Sequence, residues 1–126
     1  EVVRIMLIRA IIVDDETDSA EVFAEFLKLK DIDVAGLGKN GKEGVELYRQ
    51  YKPDVVFLDL VMPNYDGFYA LEEIKRINPD ARVIIITAYY TDMMKKRLDG
   101  LGVEDVFQKP YSITAITNSL YQKIKA

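Results

Sequence analysis

The feature that most constrains this chain is an alternation. Short apolar runs of strand length stand at 10–13 (AIIV), 32–37 (IDVAGL), 54–60 (DVVFLDL), 82–87 (RVIIIT) and 103–107 (VEDVF). Runs such as VVFL and VIII are rich in β-branched residues and apolar on both faces, which suits strands covered on both sides, as in a parallel sheet. Between them lie segments of helical period. Asp18 with Glu21 predicts a capping box that opens a first helix, whose apolar side carries Phe23, Phe26, Leu27 and Leu29. Asn40 with Glu43 repeats the signal before Val45 and Tyr48. Asp66-Gly67 precedes a third helix through Leu71, Ile74 and Ile77, and Pro79 stops it. Thr91 caps a short fourth helix to about Leu98, ended by Gly100 and Gly102. Ser112 caps a fifth, with Ile113, Ile116, Leu120 and Ile124 on one face. Five strand–helix units in strict alternation predict an α/β fold: a doubly wound five-stranded parallel sheet with five helices.

The 126 residues are 49% hydrophobic and 30% charged, enough for one domain with a real core and no room for a second. No linker, repeat or low-complexity stretch interrupts them. The expected core is about 9–125, with residues 1–8 an N-terminal extension or an extension of strand one, and Met6 a natural start. Cysteine is absent, which excludes disulfides and thiolate metal sites. Histidine is absent too, which removes the commonest general base and any phosphohistidine on this chain. No segment approaches the roughly 18 apolar residues of a membrane span. A net charge of −4 argues against direct nucleic-acid binding, because phosphate backbones are held by clustered Lys and Arg. These properties fit a cytoplasmic protein.

In an open α/β sheet, ligands bind outside the carboxyl ends of the strands. Asp14-Asp15 end strand one there, Asp59 strand three and Thr87 strand four; Lys109-Pro110 follow strand five. Three close carboxylates repel one another unless a cation joins them. Mg2+ accepts carboxylates, a backbone oxygen and waters, and Lys109 supplies a second positive charge. Such a site attracts a phosphoryl group, whose transfer is catalysed mainly by positioning and charge neutralisation. A carboxylate can itself be the nucleophile. The loop after strand one reads DDETDS, with no glycine-rich phosphate cradle, so a dinucleotide or P-loop site is excluded.

The stretches IIVDDE, FLDLVMPNYDG (57–67), IIITA (84–88) and QKP (108–110), in that order at the strand ends, resemble the receiver domain of two-component response regulators. The resemblance covers about residues 9–125. It implies a flavodoxin-like sheet of order 2-1-3-4-5 and a CheY-like phosphoprotein in phosphorelay signal transduction. It implies Asp59 as phosphoacceptor, forming an aspartyl phosphate. Asp14, Asp15, Asp59 and the Val61 backbone carbonyl would hold magnesium. Thr87 would be the switch hydroxyl, and Lys109 the partner of the phosphoryl group. The donor would be a sensor histidine kinase or phosphotransfer protein. A downstream protein partner would read the face of helix four, strand five and helix five. Such a chain is no enzyme in the ordinary sense, since it catalyses only its own phosphorylation and dephosphorylation.

There are departures from the family pattern. Val106 stands where the family has a switch aromatic, three residues before the lysine, and Phe107 is one residue late, so in a strand it points to the other face. Val61 and Tyr89, both bulky, flank the phosphoryl position. Two other readings stand beside the favoured one: a receiver-shaped binding module that is never phosphorylated, and a Mg2+-dependent phosphohydrolase. The second of these would want an acid-base aspartate where Val61 stands. The run Lys95-Lys96-Arg97 reads as a solvated helix face. The chain is expected to be a free-standing relay protein or a receiver belonging to a longer one.

Overall fold

The computed structural model describes residues 7–125, so the question of how residues 1–5 begin the chain lies outside the described residues. Ten elements alternate as expected: β1 (Ile8–Val13), α1 (Thr17–Leu29), β2 (Ile32–Gly38), α2 (Gly41–Tyr51), β3 (Val55–Leu58), α3 (Gly67–Ile77), β4 (Val83–Thr87), α4 (Asp92–Leu98), β5 (Asp105–Gln108) and α5 (Ile113–Lys125). The strands form one parallel sheet in the order β2-β1-β3-β4-β5.

The period-2 rule of strands sorts the core into two layers. Ile11, Val13, Val56, Leu58, Val83 and Ile85 face α2, α3 and α4, where they meet Val45, Tyr48, Phe68, Leu71, Ile74 and Leu98. Their neighbours Ala10, Ile12, Val55, Phe57, Ile84 and Ile86 face α1 and α5, against Phe23, Leu27, Ile116 and Leu120. Both faces of the three central strands are therefore buried, which is why their sequences run apolar without alternation.

Most caps follow the sequence. The side chain of Asn40 accepts from the Glu43 N–H at 2.9 Å, Asp66 from Tyr69 at 3.0 Å, Thr91 from Met94 at 3.2 Å and Ser112 from Ala115 at 3.2 Å. The first helix differs. It begins at Thr17 with Glu16 as N-cap, so Asp18 lies inside its first turn and caps nothing. The reason is local: the Asp14 carboxylate accepts the Glu16 N–H at 2.9 Å, and the Glu16 carbonyl accepts from Ala20 at 3.0 Å, which starts the turn early. Asp18 still complements the positive end of the helix. Strand bounds also move. β1 extends back to Ile8 and β5 runs 105–108 rather than 103–107, because backbone pairing with β2 and β4 defines them, not hydrophobicity. β3 stops at Leu58, one residue before Asp59.

On α4, Lys95 and Lys96 are exposed, as expected of a solvated face, and Met93 is exposed while Met94 packs inward. Arg97 lays its guanidinium 4.0 Å from the ring centre of Phe68 on α3, a cation–π contact the charge pattern did not reveal.

Candidate acidic site at the carboxyl edge of the sheet

Three of the site residues are the first ones past a strand end, and the backbone ladder continues just far enough to fix them. The Asp14 N–H donates to Gly38, the Asp59 N–H to Val13 and the Lys109 N–H to Thr87, each at 2.9 Å. Asp14, Asp59 and Lys109 are thus held by the sheet itself rather than by mobile loops.

The side chains converge. Oxygen atoms of Asp14, Asp15 and Asp59 all lie within 4.8 Å of one another. Asp14 and Asp59 are buried, at 8% and 7% exposure, while Asp15 opens to solvent. The Lys109 ammonium sits between the two buried carboxylates, 2.7 Å from Asp14 Oδ2 and 3.2 Å from Asp59 Oδ2. Asp59 also accepts the Val61 N–H at 3.1 Å, so its carboxylate is oriented from both sides. Asp15 lacks such a counter-charge. Burial, then the charge of Asp14, raise its carboxyl above the usual range, with Asp59 and Glu16 adding to the rise against a backbone hydrogen bond that lowers it. Burial alone would lower the Lys109 ammonium, but its hydrogen bonds and charge pairing with Asp14 and Asp59 outweigh that and hold it above its ordinary value.

Thr87 is fully buried, and its hydroxyl donates to the Tyr89 carbonyl at 3.2 Å, toward its own loop. Val61 and Tyr89 are both largely exposed at the rim, at 51% and 63%. Val106 packs against the core layer on the α2–α4 side of the sheet, as do Tyr90, Met94, Leu101 and Val103, whereas Phe107 packs against the α1–α5 layer, as do Tyr111 and Ile113. The two faces expected for these neighbours are the ones observed.

The loop from Asp59 to α3 is clamped by two glycines. A Cβ on Gly67 would stand 2.1 Å from the Asp59 carbonyl, and one on Gly41 would stand 2.3 Å from the Asp66 carbonyl. Only glycine permits either approach. The Gly41 N–H in turn donates to the Tyr65 carbonyl at 2.6 Å, which ties α2 to this loop while Asn64 and Tyr65 take left-handed φ values of 56° and 71°. Sequence reasoning also passed over Tyr111. Its ring meets Phe23 edgewise at 5.1 Å, and burial raises its hydroxyl, with Lys109 opposing and Asp14 adding to the shift. Its place directly after Lys109-Pro110 was the available signal.

The donor set is all hard oxygen, with one exposed and two buried carboxylates, and suits a hard divalent cation such as Mg2+ better than a softer metal that prefers nitrogen or sulfur. Within the described residues no helix is long and apolar enough to cross a membrane.

Comparison with known proteins agrees with this geometry. The family model of the response regulator receiver domain matches residues 10–121. Chemotaxis protein CheY of Thermotoga maritima is 32% identical over 112 residues, covering 89% of this chain and 93% of that protein. The response regulator VraR of Staphylococcus saprophyticus is 33% identical over 91% of this chain, which spans 56% of that longer protein. Among solved structures, the response regulator domain of Thermotoga maritima CheB superposes with a TM-score of 0.80 at 29% identity, covering 95% of each chain. CheY in a CheX–CheY–BeF3–Mg complex from Borrelia burgdorferi shares the fold, with a TM-score of 0.86 at 24% identity, over 93% of this chain and 89% of that one. With the family model spanning the sheet and every strand-end residue of the acidic site, this chain belongs to the response regulator receiver domains and is CheY-like.

Proposed function

We propose that Asp59 accepts a phosphoryl group from a phosphohistidine on a separate sensor histidine kinase or phosphotransfer protein, and that the resulting aspartyl phosphate relays a signal. The observation that carries this reading is the Asp59 carboxylate, buried, oriented by the Val61 N–H and set against both the acid pair and the Lys109 ammonium. A carboxylate oxygen of Asp59 attacks phosphorus in line as the phosphorus–nitrogen bond to the donor imidazole breaks. The donor imidazole, already protonated on its other ring nitrogen, keeps that bond's electron pair on the released nitrogen and departs neutral.

Asp14, Asp15, Asp59 and the Val61 backbone carbonyl would hold Mg2+, which when bound supplies positive charge to neutralise the phosphoryl oxygens. Lys109 is already within hydrogen-bond reach of Asp59 and meets a phosphoryl oxygen from the other side. Thr87 supplies the switch: its hydroxyl leaves the Tyr89 carbonyl and donates to the phosphoryl group instead. The surface around α4, β5 and α5 then presents the change to a downstream protein. The chain acts in the cytoplasm and turns over no substrate besides its own phosphoryl group.

Incubation with acetyl phosphate and Mg2+ tests this. One phosphoryl group, labile to hydroxylamine, should appear by intact mass spectrometry and be absent in Asp59→Asn. A variant that still gains it would overturn the assignment. Hydrolysis of small phosphate esters at multiple turnovers would favour the phosphohydrolase reading instead.

A further inference from the structure

Beside the acidic site, between α1 and the start of α5, lies a cavity of about 390 Å3 that opens to solvent. Its lining is mostly apolar, with exposed Val22 and half-buried Tyr111 beside the buried side chains of Phe23, Phe57 and Ile86. Phe23 holds the other two rings edgewise at centroid distances of 5.1 Å each, so the three rings form one wall. Its mouth is acidic. Asp14, Asp18 and Asp59 bring three carboxylates against the one ammonium of Lys109, which is already bonded to Asp14 and Asp59. Asp18 is exposed and, among the described residues, has no ion-pair partner. The phosphoryl transfer proposed above uses neither the aromatic walls nor Asp18.

We propose that this cavity binds a small organic ammonium ion with an apolar body, an arylalkylamine in chemical type. Its volume lies in the range of small-molecule pockets, roughly 300–1,000 Å3. Burial of the ligand's body against Val22 and Tyr111, lining side chains that water still reaches, supplies the hydrophobic driving force. Net negative charge at the mouth selects the ammonium head and rejects a carboxylate or phosphate of the same shape. The head shares Asp14 with the proposed Mg2+ site, so the two cations compete. Binding itself is independent of the phosphoacceptor reading; only the competition rests on it.

The test uses the full chain in metal-free buffer, titrated with phenethylammonium, its neutral isostere phenethyl alcohol and the anion hydrocinnamate, with amide NMR as readout. Saturable shifts should appear at Ala20, Phe23, Ile86 and Tyr111. The ammonium should bind about tenfold more tightly than the alcohol, as the net negative charge of three carboxylates and one ammonium at a partly open mouth implies. Asp18→Asn removes an exposed charge and should weaken the ammonium by about three- to fivefold without touching the alcohol. Ala20→Leu fills the cavity and should abolish binding of both, and labelling of its Asp59 by acetyl phosphate verifies that it folds. Should Ala20→Leu not fold, Asp18→Asn decides alone. Shifts confined to Asp14, Asp15 and Asp59 would reduce the ammonium to a counter-ion and overturn the proposal. So would equal affinity for hydrocinnamate, or an Asp18→Asn chain that binds the ammonium as before.

Discussion

Without a cation, the acidic site is a local liability, and Mg2+ should relieve it measurably. Lys109 bridges Asp14 and Asp59 and offsets one of their two charges, but Asp15 faces them with no counter-charge of its own. Because Asp15 is exposed, the water-like limit applies, and each repulsion across 4.8 Å costs about 1 kcal/mol. A cation that binds only the folded state stabilises it by RT ln(1 + [Mg2+]/Kd), about 1.4 kcal/mol at ten times Kd. For 126 residues, the unfolding entropy near the midpoint is about 0.26 kcal/mol/K, so the midpoint should rise by about 5 °C. Thermal unfolding in MgCl2, against KCl of equal ionic strength, measures this. Asp15→Ala should abolish the Mg2+ rise while unfolding at a slightly higher temperature than the unmodified chain in metal-free buffer. The pH dependence has a definite sign. The folded state raises the Asp15 pKa, so the penalty is present at neutral pH and disappears as pH falls below the unfolded value of 3.8. The metal-free gain of Asp15→Ala should vanish over that same window. An equal Mg2+ rise in Asp15→Ala would refute the reasoning and place the cation elsewhere.

Three further outcomes follow from the same geometry. Lys109→Met strands two buried carboxylates and should cost about 2–3 kcal/mol in metal-free urea unfolding, below the 3–5 kcal/mol of a fully buried pair because the site is open at its rim; an unchanged midpoint would show that its ion pairs contribute nothing. Val61 and Tyr89 offer no side-chain hydrogen bond to orient a water at the phosphoryl group except the Tyr89 phenol at an exposed rim, so dephosphorylation should be slow and Val61→Asn should speed it; an unchanged decay of the labelled chain would reject the water-access argument. With beryllofluoride and Mg2+, amide shifts should be large at Asp14, Asp59, Thr87 and Lys109 and small from about Thr91 to Val106, and Val106→Tyr should enlarge the outer response; large shifts there in the unmodified chain would show that another side chain carries the coupling.

The sheet and the acidic site were legible because one cause produces both signals. A strand buried on both faces must be apolar throughout, so the first charged residue after it marks the sheet edge, and Asp14 and Asp59 are those residues; Lys109 follows the half-buried edge strand β5 and was legible from the QKP motif instead. What stayed illegible depends on contacts between distant segments. Arg9 is exposed and paired with Asp33 at 3.5 Å, so its charge masked the true start of β1. Gln108 belongs to β5 only because its backbone pairs with Thr87. The start of α1 was decided by the Asp14 carboxylate, which takes the Glu16 N–H before Asp18 can act as a cap.

Val106 joins these levels. Alternation along a strand predicted that Val106 and Phe107 face opposite layers, and they do, beside Ile85 and Ile86. The sequence alone did not reveal what surrounds the shorter side chain. Val106 shares its layer with Tyr90, half-buried against the same cluster as Met94 and Leu98. Tyr90 follows directly on Tyr89, whose carbonyl accepts the Thr87 hydroxyl. Releasing that hydroxyl would therefore free the backbone next to an aromatic ring that packs against the core layer containing Leu98 of α4. A chain whose β5 carries its aromatic, Phe107, on the opposite face still has one within a residue of the Thr87–Tyr89 hydrogen bond, held by the loop rather than by the strand. Val106→Tyr adds a second ring to the same cluster. That is why its effect on the outer surface, and not on the chemistry at Asp59, is the quantity that discriminates.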